Sequence, residues 1–169
     1  NWNAAWEAEH EIEELPLGVR ITPHCAFGAG HHETTSMMIE ALLEVQAQGY
    51  FAQGRNVLDM GCGTGVLGIM AKKCGAESVV AVDIDDKSVA NSIENAEANT
   101  VELDVRLGST PPDGNYDLIL ANIHRNILLD QMPAYAKNLK QGGEVWLSGF
   151  YAEDIPYLTK AAESVGLEH

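Results

Sequence analysis

The feature that most constrains this chain is Asn56-Val-Leu-Asp-Met-Gly-Cys-Gly-Thr-Gly65, followed at once by Val66-Leu-Gly-Ile-Met-Ala71. An apolar run ending in an acid, three alternating glycines and a second apolar run describe a strand, a sharp turn and a helix packed back on a sheet. Glycine suits such a turn because it accepts positive φ and has no Cβ to hold a ligand away. About twenty residues on, a second apolar run, Ser78-Val-Val-Ala-Val-Asp83, ends in an acid where a ribose would be bound. Together the two motifs point to an adenosine-type cofactor.

Two cofactors fit these residues. Gly63-Thr-Gly65-Val-Leu-Gly68 matches the dinucleotide pattern G-x-G-x-x-G with Asp83 as its ribose acid, so a NAD-binding oxidoreductase domain is one reading. Asp59, two residues before Gly61, completes D-x-G-x-G-x-G, the turn of S-adenosylmethionine-dependent methyltransferases. Three features favour the second reading. An acid at the strand end repels a pyrophosphate, whereas it can neutralise the ammonium or sulfonium of adenosylmethionine. A long helical segment, Thr34 to Gln48, precedes the glycine strand, and dinucleotide domains usually open on that strand. The fourth strand then ends in Asn122, an amide suited to holding a nucleophilic nitrogen.

Composition narrows the class. With 169 residues and 46% hydrophobic content, the chain holds one domain with an adequate core. No apolar run approaches the roughly 20 residues of a membrane helix. The opening Asn1-Trp-Asn-Ala-Ala-Trp6 has neither the basic nor the apolar region of a secretion signal, so a cytoplasmic location is expected. Cys25, Cys62 and Cys74 form no C-x-x-C pair, which suits reduced thiols rather than zinc ligands or disulfides. His31 and His32 are adjacent and have no third ligand at suitable spacing, so no metal is expected. A net charge of −15 argues against a nucleic-acid partner, because phosphate binding needs clustered Lys and Arg.

Strand and helix signals alternate along the chain. Helix Thr34–Gln48, with Met37, Met38, Ala41, Leu42 and Val45 at helical spacing, precedes strand Asn56–Met60 and helix Gly65–Lys73. Strand Ser78–Asp83, helix Lys87–Asn99 and strand Asp104–Leu107 follow, then the turn Pro111–Asn115. Strand Asp117–Ile123, helix Ile127–Leu139, turn Gln141–Gly143, strand Glu144–Ser148 and helix Asp154–Val165 complete the set. Such alternation gives a doubly wound α/β sheet whose ligand lies at the carboxyl ends of the strands, where Asp59, Asp83 and Asn122 all fall. Residues 1–20 read as a linker-like segment and 21–169 as a catalytic domain.

The most distinctive segment is Ile21-Thr-Pro-His-Cys-Ala-Phe-Gly-Ala-Gly-His-His-Glu-Thr-Thr35. It is a glycine-flexible loop followed by Thr34 and Thr35, whose hydroxyls can cap the next helix or grip a carboxylate. Here the chain resembles the bacterial ribosomal-protein methyltransferases of the PrmA type, whose pattern is A-F-G-T-G, two variable positions, P or E, then T-T. Ala26 to Thr35 fits except at Ala29, where the family's Thr hydroxyl is missing. The glycine motif, Val82-Asp-Ile-Asp85 and Ala121-Asn-Ile123 follow in the family's order. The resemblance implies a Rossmann-like class I S-adenosylmethionine-dependent methyltransferase sheet, with no sequence left after the last helix for that sheet's final antiparallel strand pair.

The resemblance also implies the activity. Such enzymes methylate amino groups of the large-subunit ribosomal protein numbered eleven, lysine side chains first and the N-terminal amine as a further candidate. Thr35, Gly61, Asp83 and Asn122 correspond to cofactor-binding positions, with Phe27, Gly28 and Gly63 close by. The family's N-terminal domain, which recognises the ribosomal substrate, has no counterpart here, so this part is expected to bind cofactor better than protein substrate. Asn122 is the candidate catalytic residue: Asn122-Ile-His-Arg125 replaces the N-P-P-[FY] of enzymes acting on amides and bases, which disfavours those substrates. His124 is either a general base or an exposed helix-opening residue, the latter being the plainer reading. A small-molecule methyltransferase shares every cofactor motif and is the alternative within this chemistry.

Overall fold

The computed structural model describes residues 12–24 and 32–168. Strands β1 (Glu13–Glu14) and β2 (Arg20–Ile21) form an antiparallel pair joined through a turn at Pro16–Gly18. The pair is absent from the reading of the sequence, because two-residue strands carry no periodicity. Its second strand crosses the boundary drawn at residue 20, and Val19 and Ile21 are buried in the core of the main domain.

Five parallel strands make the main sheet: β3 (Asn56–Met60), β4 (Ser78–Asp83), β5 (Asp104–Leu107), β6 (Tyr116–Asn122) and β7 (Leu139–Ser148). They lie in the order β5-β4-β3-β6-β7. Helices α1 (His32–Ala47), α2 (Val66–Cys74), α3 (Asp86–Ala98), α4 (Arg125–Asn138) and α5 (Ile155–Ser164) alternate with them. The expected doubly wound α/β class is therefore the observed one.

Alternation along the strands divides the core. Val57, Leu118 and Leu120 face a cluster with Met38 and Leu42 of α1 and Ile69 and Met70 of α2. Leu58, Ile119 and Ala121 face the opposite cluster with Leu128, Met132 and Tyr135 of α4 and Leu158 of α5. A sheet covered on both faces needs continuous apolar strands, which is why every residue of β6 is buried. Each fully buried Leu or Ile contributes about 1.5–3 kcal/mol.

Two expectations need correction. Of the methionines on α1, Met38 is core, but Met37 is 69% exposed, so the buried stripe runs through Met38, Ile39 and Leu42. The turn expected at Gln141–Gly143 lies inside β7. Between the pairs Tyr116–Leu139 and Leu118–Glu144, Asp117 alone stands opposite Lys140–Gly143. The glycines serve a bulge, with Gly142 at φ +82°, and the chain continues in the same direction.

Candidate functional site

β3 has β4 on one side and β6 on the other, so the strand order changes direction beside it and a ligand crevice opens at the carboxyl ends. The turn after β3 is tied to β4: Gly61 N and Cys62 N both donate to Val82 O, at 2.8 and 3.0 Å. Gly63 N donates to Asp83 Oδ2 at 3.0 Å, and Asp85 N to Oδ1 at 2.9 Å. Each carboxylate oxygen of Asp83 thus holds one backbone N–H and keeps a second acceptor site for a ligand hydroxyl.

The structure gives a reason for the glycines beyond ligand approach. Gly61 has φ +74°, and a Cβ there would lie 2.7 Å from Cγ2 of Ile123, the residue that follows β6. Gly65 has φ +87°, and its Cβ would meet Ser92 Cα of α3 at 3.0 Å. Protein packed on protein already demands glycine at both places, while the backbone N–H groups of the turn are held in a fixed array.

Asp59 departs from its expected part. It lies on the strand face that α2 covers, is 1% exposed, and accepts from Gly68 N at 3.1 Å in the first turn of that helix. Burial pushes its carboxyl up to about 7, with the Asp83 charge adding and the Gly68 bond opposing. A carboxyl only partly charged at neutral pH and committed to a helix N–H anchors the turn. Its Oδ2 is engaged by α2 rather than by solvent. Neighbouring Cys62 is buried; burial first, then Asp59 and Asp83, hold its thiol far above the ordinary value, so it stays protonated and inert.

Across the crevice, Asn122 ends β6 and is 8% exposed. Its Nδ2 donates to Thr35 Oγ1 in α1 at 3.3 Å, which fixes the amide's orientation. Its Oδ1 is buried without a hydrogen-bond partner among the described residues. A Cβ on Gly149, at φ +87°, would stand 3.0 Å from that oxygen, so glycine keeps the space beside it clear. An unpaired buried carbonyl costs about 1–3 kcal/mol, a cost relieved when a donor arrives.

The structure therefore brings Gly61, Gly63, Asp83, Asn122 and Thr35 to the carboxyl ends of β3, β4 and β6. Phe27, Gly28 and His31 lie outside the described residues, as does Cys25. His32 opens α1, and His124 is an exposed residue preceding α4 that makes no side-chain cap there. Two residues escaped the sequence reading: Ile84 and Leu107, 74% and 62% exposed. Ile84 follows Asp83 in the chain, Leu107 pairs with Asp83 in the sheet register, and Gly108 N donates to Asp83 O at 3.0 Å. Position at a strand end was their available signal, but an apolar residue there reads as core until its exposure is known.

The sequence profile of the family described as "Ribosomal protein L11 methyltransferase (PrmA)" matches residues 2–169. The chain is similar to ribosomal protein L11 methyltransferases of Porphyromonas gingivalis (47% identity over 99% of this chain and 63% of the relative) and Phocaeicola vulgatus (41% over 99% and 66%). It spans somewhat less than two thirds of those relatives' length. Among solved structures it is similar to a ribosomal protein L11 methylase from Lactobacillus delbrueckii subsp. bulgaricus, with TM-score 0.73 and 33% identity over 87% of this chain and 73% of that one.

Proposed function

Since the chain belongs to the ribosomal protein L11 methyltransferase family, we propose that it transfers methyl groups from S-adenosylmethionine to amino groups of a ribosomal protein. Lysine side chains are the first candidates and the N-terminal amine a further one. The observation that carries this reading is the buried Oδ1 of Asn122, without a partner among the described residues and held in orientation by Thr35 beside the glycine turn. Oδ1 can accept an N–H from an incoming amine and so aim its lone pair into the crevice.

Lysine, with a pKa of about 10.4, arrives mostly protonated at neutral pH. A water-poor site disfavours its charged form, and a neutral amide orients the amine without the extra stabilisation of ammonium that a carboxylate would give. Holding nucleophile and methyl donor in line is the main lever. S-adenosylmethionine, when bound, supplies a methyl carbon on a cationic sulfur that leaves readily. The free acceptor sites of Asp83 suit the ribose hydroxyls, and Ile84 and Leu107 offer an apolar face to adenine. Thr35, Gly61, Gly63, Asn122 and, beyond the described residues, Phe27 and Gly28 complete the proposed cofactor set, with Asp59 acting beneath the turn.

The wider assignment is equally a proposal. Residues 21–169 act as the catalytic domain, the preceding segment is linker-like only up to where Leu15 and Val19 join that domain's core, and a part of the protein outside these residues recognises most of the substrate. A cytoplasmic location fits that substrate, and no helix among the described residues is long and apolar enough to cross a membrane. Asn122→Ala is the test. Turnover on ribosomal protein L11 should fall about a hundredfold while adenosylmethionine affinity changes less than about threefold. Unchanged turnover would remove Asn122 from the mechanism.

A further inference from the structure

α3 carries asparagines at 91 and 95 and is capped at its C-terminus by a third, Asn99; they are 1%, 1% and 6% exposed. Against them runs the extended segment 20–24. Asn99 accepts from Arg20 N at 2.9 Å and donates to Arg20 O at 2.8 Å. Asn95 treats Thr22 the same way, accepting from its N at 3.0 Å and donating to its O at 3.1 Å. Asn91 accepts from His24 N at 2.9 Å and donates to Thr22 O at 2.9 Å. The match is one of spacing. Four helical residues rise about 6.0 Å and two extended residues about 6.6 Å, so every fourth residue of the helix meets every second residue of the segment. The side-chain amides stand in for a neighbouring strand.

Asn99 Nδ2 also donates to Asn95 O at 2.7 Å, within its own helix end, whereas the third bond of Asn95 reaches the glycine turn. Asn95 Nδ2 donates to Thr64 O at 2.8 Å, the carbonyl between Gly63 and Gly65. Three residues earlier on the helix, Ser92 Oγ donates to Gly63 O at 2.8 Å and lies 3.2 Å from Cys62 Sγ. Holding the segment alone would need only the paired bonds that Asn99 makes to Arg20.

We propose that Asn95 is a positioning residue of the cofactor site. Through Thr64 O it sets the glycine turn against segment 20–24, while Asn91 and Asn99 keep that segment in register. The inference rests on the reading of this turn as the adenosylmethionine site. Calorimetric titration of the chain with S-adenosylmethionine separates the two claims, each variant being measured equally far below its own Tm. Asn95→Ala should weaken binding about tenfold, and Asn99→Ala, which loses its bonds to Arg20 and to Asn95 O but leaves the bond to the turn, less than about twofold. In methylation assays the KM for adenosylmethionine should rise with Asn95→Ala while kcat holds.

Equal weakening by both substitutions, or none by Asn95→Ala, would overturn the proposal. Asn95→Asp, of the same size, keeps an acceptor for Thr22 N and loses the donor to Thr64 O and to Thr22 O. It should weaken binding likewise, and unaltered affinity in it overturns the proposal even where Asn95→Ala fails to fold. A parent chain that does not bind adenosylmethionine overturns the cofactor reading and this inference with it.

Discussion

The two sides of the crevice are built differently. On the β4 side, Gly63 and Asp83 are joined across a single strand–helix–strand unit, with partners 20 residues apart. On the β6 side, Asn122 reaches Thr35, 87 residues away, through elements that are not consecutive in the chain. The first side presents a carboxylate already holding two backbone N–H groups. The second presents a carbonyl oxygen holding none among the described residues. A locally encoded, satisfied framework suits binding, whereas a distant, unsatisfied acceptor suits a group that must engage a substrate.

The largest effect is expected where the two sides touch. Gly61→Val would set a branched side chain at φ +74° against Ile123 and should destabilise the fold by about 3 kcal/mol or more, read by thermal unfolding. A Gly61→Val variant as stable as the parent would mean the sides are not in contact there. Next comes the β4 side: Asp83→Ala should weaken adenosylmethionine about thirtyfold, since it removes both the ribose acceptor and the anchor of Gly63 N. An unaltered dissociation constant in calorimetry would break the assignment. Smallest is Thr35→Val, which leaves the Asn122 amide unguided. It should lower kcat about fivefold, with cofactor affinity the lesser change. A larger loss of affinity than of kcat would make Thr35 a binding group and blur the contrast.

The same contrast explains what could be read before any coordinates. The spans Asn56–Met60, Ser78–Asp83 and Asp104–Leu107 stand as read, because apolar runs bounded by turns and acids are local signals. The place of Asp83 followed from spacing alone. The position of Asp59 in the motif is a local signal, but its bond to Gly68 N depends on which strand face α2 covers. β7 was shortened because two glycines at Gly142 and Gly143 read as a turn, and only pairing with β6 shows a bulge. The asparagines of α3 were passed over as ordinary helix residues, since their partners at Arg20, Thr22 and His24 lie 67 to 79 residues away. The Thr35–Asn122 contact was likewise not derivable from spacing; a family resemblance named both residues without revealing that they touch.

The cofactor assignment on which both sides of the crevice depend is tested most directly by calorimetric titration of this chain with S-adenosylmethionine and, separately, with NAD. One saturable site for adenosylmethionine and no measurable heat with NAD are expected. Saturable NAD binding together with an absence of adenosylmethionine binding would contradict the assignment.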